Sequence, residues 1–482
     1  MMKKMCKISA FLCTALLIFN IIVPVAAEES SDSDVIQGVT EDASVYSGCH
    51  SVDAKIPMLG TSQLVTNAQS VFLYERSTDT TMYAWNADVQ MAPSSLVKIM
   101  TAYLAAEKGN LAEIVTIDES VLASVPANAV SSKLQVDEVI TVRDLLYCMM
   151  VGSGNDAAAV IADHISGSQE AFIEQMNAKA AELGCTSTIF TNVHGLHDEN
   201  QHTTARDVCR ILSAALDNEV FRTVFTTVTY TVPQTNKSEP RELITGNFLM
   251  TQNDMQIYYD PRVTGGRTGV ANDGTRCLAA TAENEGMELI SVVMGAKSVY
   301  REDGYTVQSF GSFPEAKQLF DAGFVGYKAV QILHPGQILM QRDVEDGAEK
   351  VSVGVAESRK VVLPENVGSN DLSYRYADIH GVPAAPVSQG TALSDVQVWY
   401  GSICVAQAHL YAMNSVYTNP VVQIKAIDRN SGNVWQTVLV IVLIIAACTF
   451  VVLAGIRLAP KLRYVKNGRQ SRRNSRNRRR SR

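Results

Sequence analysis

A chain of 482 residues with 46% hydrophobic and 19% charged residues carries enough apolar material for two or three folded units and excludes a largely disordered protein. Its formal charge of −8 is unevenly spread: three lysines and no acid fall in the first seven residues, and twelve lysines and arginines with no acid fall in 457–482, which leaves the middle at about −23. An acidic body with basic ends excludes nucleic acid as the main partner.

The N-terminus opens with Lys3, Lys4 and Lys7, continues with an apolar run over 8–23, and reaches the small residues Val25, Ala26 and Ala27 before Glu28. This predicts a signal peptide over 1–27, with an uncleaved anchor as the alternative. Residues 28–60, rich in Ser, Asp and Glu, read as a flexible acidic linker. Runs at 70–75 and 81–85 have the look of two strands of a hairpin. The stretch 95–108 predicts a helix that is apolar nearly all round, and therefore buried. Further helices are expected over 141–165 and 168–183, the second stopped by Gly184. Residues 288–295 read as a strand.

After about Ser309 the texture changes. One short helix is expected at 313–320, and then short β-type runs at 330–333, 351–355 and 360–363, broken by Gly and Pro. These predict a small all-β unit ending near Val416. Residues 419–433 form a linker to 434–456, which is uncharged and of bilayer-spanning length. The basic tail 457–482 then follows on the cytoplasmic side by the positive-inside rule, with the acidic body outside. A buried soluble helix is the alternative for 434–456. The expected organisation is a signal peptide 1–27, a linker 28–60, a first folded domain 61–308, a β-rich domain 309–418, a linker 419–433, a single transmembrane helix 434–456 and a tail 457–482.

Nine cysteines are scattered without a C-x-x-C pair. Cys49, Cys148, Cys185, Cys209, Cys277 and Cys404 lie between the signal peptide and the span, an even set that permits disulfides without requiring them. Cys148 sits in an apolar run and reads as a buried thiol.

The chemistry concentrates in three short motifs. Ser95 and Lys98 are three residues apart at the start of the buried helix, on one face. A serine hydroxyl becomes a nucleophile when a base takes its proton, and a lysine whose pKa is lowered by burial can be that base. A surface lysine is the bland alternative for this motif alone. The second motif is Ser153-Gly154-Asn155-Asp156, placed where a loop could aim Ser153 and Asn155 into a cleft. The third is Gly265-Gly266-Arg267-Thr268-Gly269, whose small residues would let a substrate lie along a strand edge. His194, His197 and His202 are close enough to raise a metal site, but a structural role is the preferred reading.

The order S-x-x-K, S-x-N, [K/R]-T-G resembles that of the active-serine penicillin-recognising enzymes. The text around each motif, including Ala92 to Thr101, Ser153 to Ala158, and the His194-Gly195-Leu196 loop, resembles the D-alanyl-D-alanine carboxypeptidases among low-molecular-mass penicillin-binding proteins. The resemblance covers about 69–296 and, more loosely, the β-rich part. It implies an α+β chain: a β-lactamase/transpeptidase-like catalytic domain with an antiparallel sheet and helices, then a small all-β domain, ahead of the single C-terminal transmembrane helix.

The resemblance also implies roles. Ser95 attacks the carbonyl of the penultimate D-alanine and becomes acylated, Lys98 accepts its proton, and Ser153 relays a proton to the departing D-alanine. Asn155 holds the substrate backbone. Arg267 and Thr268 bind the terminal carboxylate, next to Gly269. The backbone N–H groups of Ser95 and Val270 form the oxyanion hole, one such donor being typically worth about 10²–10³ in rate. The implied substrate is the peptidoglycan stem pentapeptide, with β-lactam antibiotics as covalent inhibitors and no metal or organic cofactor. The pattern departs from the family at Arg267, where lysine is usual, and at Val270-Ala271, where polar residues are common. Rival expectations are a β-lactamase, for which no deacylating glutamate is visible, a peptidoglycan endopeptidase, and a non-catalytic wall-binding scaffold.

Overall fold

The computed structural model describes residues 67–252, 256–303, 307–377 and 381–422, with Leu59, Leu64 and parts of 439–450. The expected signal peptide and basic tail lie outside the described residues, as do nearly all of the first linker and most of the second linker and of the expected span. Among the described residues no helix is long and apolar enough to cross a membrane.

The hairpin forms as expected, from β1 (Ser70–Glu75) and β2 (Thr80–Trp85). The chain then enters α1 (Val97–Lys108) through a 3-10 turn at Ser94–Leu96. Every residue of α1 from Val97 to Ala105 is buried, Lys98 and Thr101 among them, as an apolar surface nearly all round requires. The helix expected over 141–165 is two helices, α2 (Val142–Met150) and α3 (Asn155–Ser166). The break falls at Gly152-Ser153-Gly154, where Ser153 takes φ 63°, a conformation that no α-helix accommodates. Next comes α4 (Gln169–Glu182), with Ser168 as N-cap accepting from the Ala171 N–H, and Gly184 at φ 73° just past its end. Then α5 (Ala205–Ala215) is capped by Thr204, whose hydroxyl accepts from the Asp207 N–H.

The first domain is completed by β3 (Val263–Val270), β4 (Arg276–Asn284), β5 (Met287–Ala296) and α6 (Ser312–Phe324). The strands form one antiparallel sheet in the order β2-β1-β5-β4-β3, with β3 at an edge. Side chains alternate across it as strand geometry dictates. Phe72, Tyr74 and Val292 join the core shared with α1, α2, α3 and α5, while Val71, Leu73 and Val293 face the other way onto Phe313, Leu319 and Phe320 of α6. Helix α6 is therefore the second cover of the sheet, although its sequence neighbours place it with the β-rich part. Burial on both faces explains why β5 reads as an almost continuous apolar run.

The β-rich part pairs β6 (Tyr327–Leu333) with β9 (Arg359–Pro364). It also assembles β7 (Ile338–Arg342), β8 (Val351–Val355), β10 (Leu372–Ala377), β11 (Ala392–Tyr400) and β12 (Ile403–Ala412) into a second antiparallel sheet. Val353, Val355, Val396, Val398 and Leu410 fill a separate core there. Cys148, Cys185, Cys209 and Cys277 are buried free thiols, burial holding the Cys148 thiol up at about 12, whereas Cys404 is disulfide-bonded.

Candidate active site

Three segments far apart in sequence meet at the start of α1. Ser95 lies on the 3-10 turn and is part-exposed, and Lys98, the one charged residue in the buried stretch of α1, is 0% exposed. The Lys98 Nζ donates to Ser95 Oγ at 3.2 Å, to Asn155 Oδ1 at 2.6 Å and to the His194 carbonyl at 2.7 Å. Three acceptors match the three hydrogens of an ammonium, and two of them remain if the group gives up its proton. Burial, then the positive charge of Arg267, push the Lys98 pKa well below the usual lysine range, against the opposing pull of Asp156.

The second motif is placed by the α2–α3 break. Asn155 is the first residue of α3 and is 4% exposed, with its Oδ1 committed to Lys98. Asp156 fixes this turn. Its carboxylate accepts from the backbone N–H groups of Ser132, Leu134 and Ala157, and from the Ser131 hydroxyl at 2.6 Å. A segment some 25 residues upstream is thereby tied to the base of the site.

The third motif lies on β3. Arg267 is 3% exposed and points inward. Its Nη2 donates to Ser153 Oγ at 2.5 Å, its Nη1 to the Met150 carbonyl at 3.0 Å, and its Nε to the Ser95 carbonyl at 3.3 Å. Burial lowers its pKa to about 10, so it stays charged at neutral pH. No carboxylate pairs with it among the described residues. Thr268 is half-buried, and the Val270 side chain is 53% exposed.

Glycines let these parts approach. A Cβ at Gly269 would lie 3.1 Å from the Ser95 nitrogen, so glycine keeps that donor accessible from the cleft. A Cβ at Gly195 would lie 1.9 Å from the Ser94 carbonyl oxygen, and Gly195 also sits at φ 84°. Gly265 and Gly266 serve a different purpose from the substrate access expected of them: they make room for the ring of Phe225 and the amide of Asn247. Ser94, directly before Ser95, is held at φ 52° with its hydroxyl donating to the Val270 carbonyl at 2.6 Å. Positive φ thus falls on Ser94, directly before Ser95, and on Ser153 itself, a pattern found where geometry is fixed for function.

Ser95, Lys98 and Asn155 therefore form one hydrogen-bonded group. Ser153, Arg267 and the Ser95 carbonyl form another, and Gly269 closes on the Ser95 nitrogen. Thr268 and Val270 line the adjoining strand. Sequence reasoning missed the His194 carbonyl as a partner of Lys98, and the contact of Thr101 with the Val193 carbonyl at 2.7 Å one turn further along α1. The i, i+3 spacing of Lys98 and Thr101 was the available signal. The three histidines do not converge: His194 is buried, burial lowers it to about 4, and its Nδ1 accepts from the Leu196 N–H, while His202 Nδ1 lies against the Asn200 carbonyl. Among the described residues no group of three His, Cys, Asp or Glu could hold a metal ion.

This constellation can run acyl transfer: a nucleophile, a base of lowered pKa, a cation facing a second serine, and backbone donors beside the nucleophile. Comparison with known proteins points the same way. Residues 58–298 match the D-alanyl-D-alanine carboxypeptidase family, and residues 327–418 match the C-terminal domain of penicillin-binding protein 5. The chain is 33% identical over 251 residues to the D-alanyl-D-alanine carboxypeptidase of Streptomyces sp. strain K15, covering 50% of this chain and 85% of that one. It is 28% identical over 336 residues to the Bacillus subtilis D-alanyl-D-alanine carboxypeptidase DacF, covering 69% of this chain and 82% of the relative. The crystal structure of penicillin-binding protein 5 from Haemophilus influenzae superposes with a TM-score of 0.63 at 27% identity, covering 74% of this chain and all of that one. With the motifs, the fold and these matches in agreement, the chain belongs to the D-alanyl-D-alanine carboxypeptidase family of serine peptidases.

Proposed function

We propose that the chain removes the terminal D-alanine from peptidoglycan stem pentapeptides through an acyl-enzyme on Ser95, and that β-lactams trap the same serine. The observation that carries this reading is the fully buried Lys98 amine 3.2 Å from Ser95 Oγ. A lysine whose pKa its surroundings hold well below the ordinary range can accept the serine proton as Oγ bonds to the substrate carbonyl carbon. The oxyanion then faces the backbone N–H of Ser95 and of Val270. Ser153 passes a proton to the leaving amine, and Thr268 with the Arg267 charge receives the terminal carboxylate. Asn155, by its hold on Lys98, keeps the base in register and borders the peptide backbone. Water releases the shortened peptide in a second step.

The same reading places residues 1–27 as a signal peptide, 434–456 as a membrane anchor and 457–482 in the cytoplasm, with the enzyme working outside the cell membrane. Its support is the uncharged, largely apolar run followed by clustered arginines. The β-rich domain would then be a spacer holding the cleft toward the wall.

Ser95→Ala tests the assignment. Fluorescent penicillin should label the wild-type chain covalently and leave the variant unlabelled, and D-alanine release from a pentapeptide should vanish in parallel. Labelling of the variant at another residue would overturn it.

A further inference from the structure

Three ionisable side chains, Lys98, Arg267 and Asp156, are buried together at the base of the cleft. The mechanism above uses the two cations and leaves the anion without a task. Asp156 follows Asn155 directly on the first turn of α3, beside the amide that accepts from Lys98 Nζ. Each of its oxygens accepts two hydrogen bonds. Oδ1 takes the Ser132 and Ala157 N–H groups, both at 2.9 Å, and Oδ2 takes the Leu134 N–H at 3.2 Å and the Ser131 hydroxyl at 2.6 Å. Four donors fill the four lone-pair sites of an ionised carboxylate and leave no place for a carboxyl hydrogen. All four are neutral, and among the described residues Asp156 forms no ion pair.

Arg267 and Asp156 therefore act on Lys98 in opposite directions. The guanidinium favours the neutral amine and the carboxylate favours the ammonium. With Lys98 neutral, the formal charges of Arg267 and Asp156 cancel, and with Lys98 protonated the buried site carries one net positive charge, which burial disfavours. The other titratable groups packed around these three are His194, held down at about 4, Cys148, held up at about 12, the Arg241–Glu138 ion pair, and Asp144, which accepts from the Tyr230 hydroxyl. His194 and Cys148 are neutral at pH 7, so the local charges that bear on Lys98 are those of Arg267 and Asp156.

Resting on the carboxypeptidase reading above, we infer that Asp156 is a positioning residue for the reaction, a buried counter-charge that opposes Arg267 and decides how readily Lys98 gives up its proton and becomes the base for Ser95. Its four bonds hold the charge in place next to Asn155, which holds the amine.

The test reads the rate of penicillin acylation of the full-length chain in detergent as a function of pH. The rate climbs along a limb that reports loss of the Lys98 proton to solvent. In Asp156→Asn the ammonium loses its support, and the limb should move to lower pH by about half a unit or more. Ser131→Ala removes one hydrogen bond to the carboxylate and keeps the charge, so its limb should stay at the wild-type position. Where Asp156→Asn alone does not fold, the double variant with Arg267→Met leaves no uncompensated charge: Arg267→Met should raise the limb, and adding Asp156→Asn should bring it down again. An Asp156→Asn limb that is unmoved or moved upward, a Ser131→Ala limb displaced as far, or no difference between Arg267→Met and the double variant would overturn the assignment. Failure of the carboxypeptidase reading would look different: D-alanine release from a pentapeptide would be absent in the wild-type chain or would survive Ser95→Ala.

Discussion

The helix wall and the strand wall of the cleft each bury a cation, with opposite results. On α1, Lys98 is 0% exposed and its pKa is driven well below the lysine range. On β3, Arg267 is 3% exposed, yet its pKa stays at about 10. Equal burial leaves the lysine ready to lose its proton and the arginine unable to, because the guanidinium starts from a much higher pKa. The arginine's retained charge is itself one cause of the lysine's depression. In the proposed mechanism one wall accepts a proton and the other receives a carboxylate, and the charge kept on Arg267 helps hold the Lys98 pKa down. A lysine at 267 would be subject to the same burial as Lys98, and two amines would compete for neutrality.

The sharpest way to break this contrast is Lys98→Met, which keeps the length and removes the base. Covalent labelling by penicillin should fall by about 10²–10⁴, the usual range for a general base, with near-ultraviolet circular dichroism retained. Loss of labelling by less than tenfold would mean that Lys98 is not the proton acceptor. Second in size is Arg267→Met. It removes the donor to Ser153 and the only charge on the strand wall, and should lower kcat/KM for D-alanine release about a hundredfold, roughly 2.7 kcal/mol of transition-state stabilisation. An unchanged value would show that the carboxylate is bound elsewhere.

The smallest and most discriminating change is Arg267→Lys, read through pH. Acylation requires neutral Lys98, which exists above the residue's own pKa. In the wild-type chain the rate should therefore rise with pH and level off well below pH ~10.4, where an ordinary lysine titrates. A buried lysine at 267 gives up some of its charge, so Lys98 is depressed less and the acid limb moves upward. At neutral pH the loss should be under about tenfold, while the midpoint moves measurably. An unshifted limb would mean that the two cations are not coupled.

The local parts of this arrangement were legible in the sequence. The hairpin, the buried helix carrying Lys98, the stop at Gly184 and the pairing of Ser95 with Lys98 all follow from periodicities and spacings within a few residues. What escaped depends on contacts between distant segments. The acceptors for Lys98 come from Asn155 and His194, and no local pattern assigns a backbone carbonyl to a side chain almost a hundred positions away. The inward aim of Arg267 depends on the α2–α3 break supplying Met150 and Ser153. Helix α6 looked like the start of the β-rich region because sequence order places it there, whereas the exposed face of the sheet recruits it. The run Gly265-Gly266 looked like access for a ligand, and is clearance for Phe225 and Asn247.

Consecutive carbonyls of the loop at 193 and 194 are held by Thr101 and Lys98, one turn apart on α1. This loop is therefore pinned against the buried amine. Were it to lift by local opening, with the rest of the domain folded, the lysine would be hydrated and its pKa would return toward the ordinary range, making it a poorer partner for Ser95 in the proposed mechanism. Catalytic power in this protein is then a gauge of a small substructure rather than of the whole fold. Mild heat or denaturant would silence the enzyme while its spectroscopic signature of folding stayed intact.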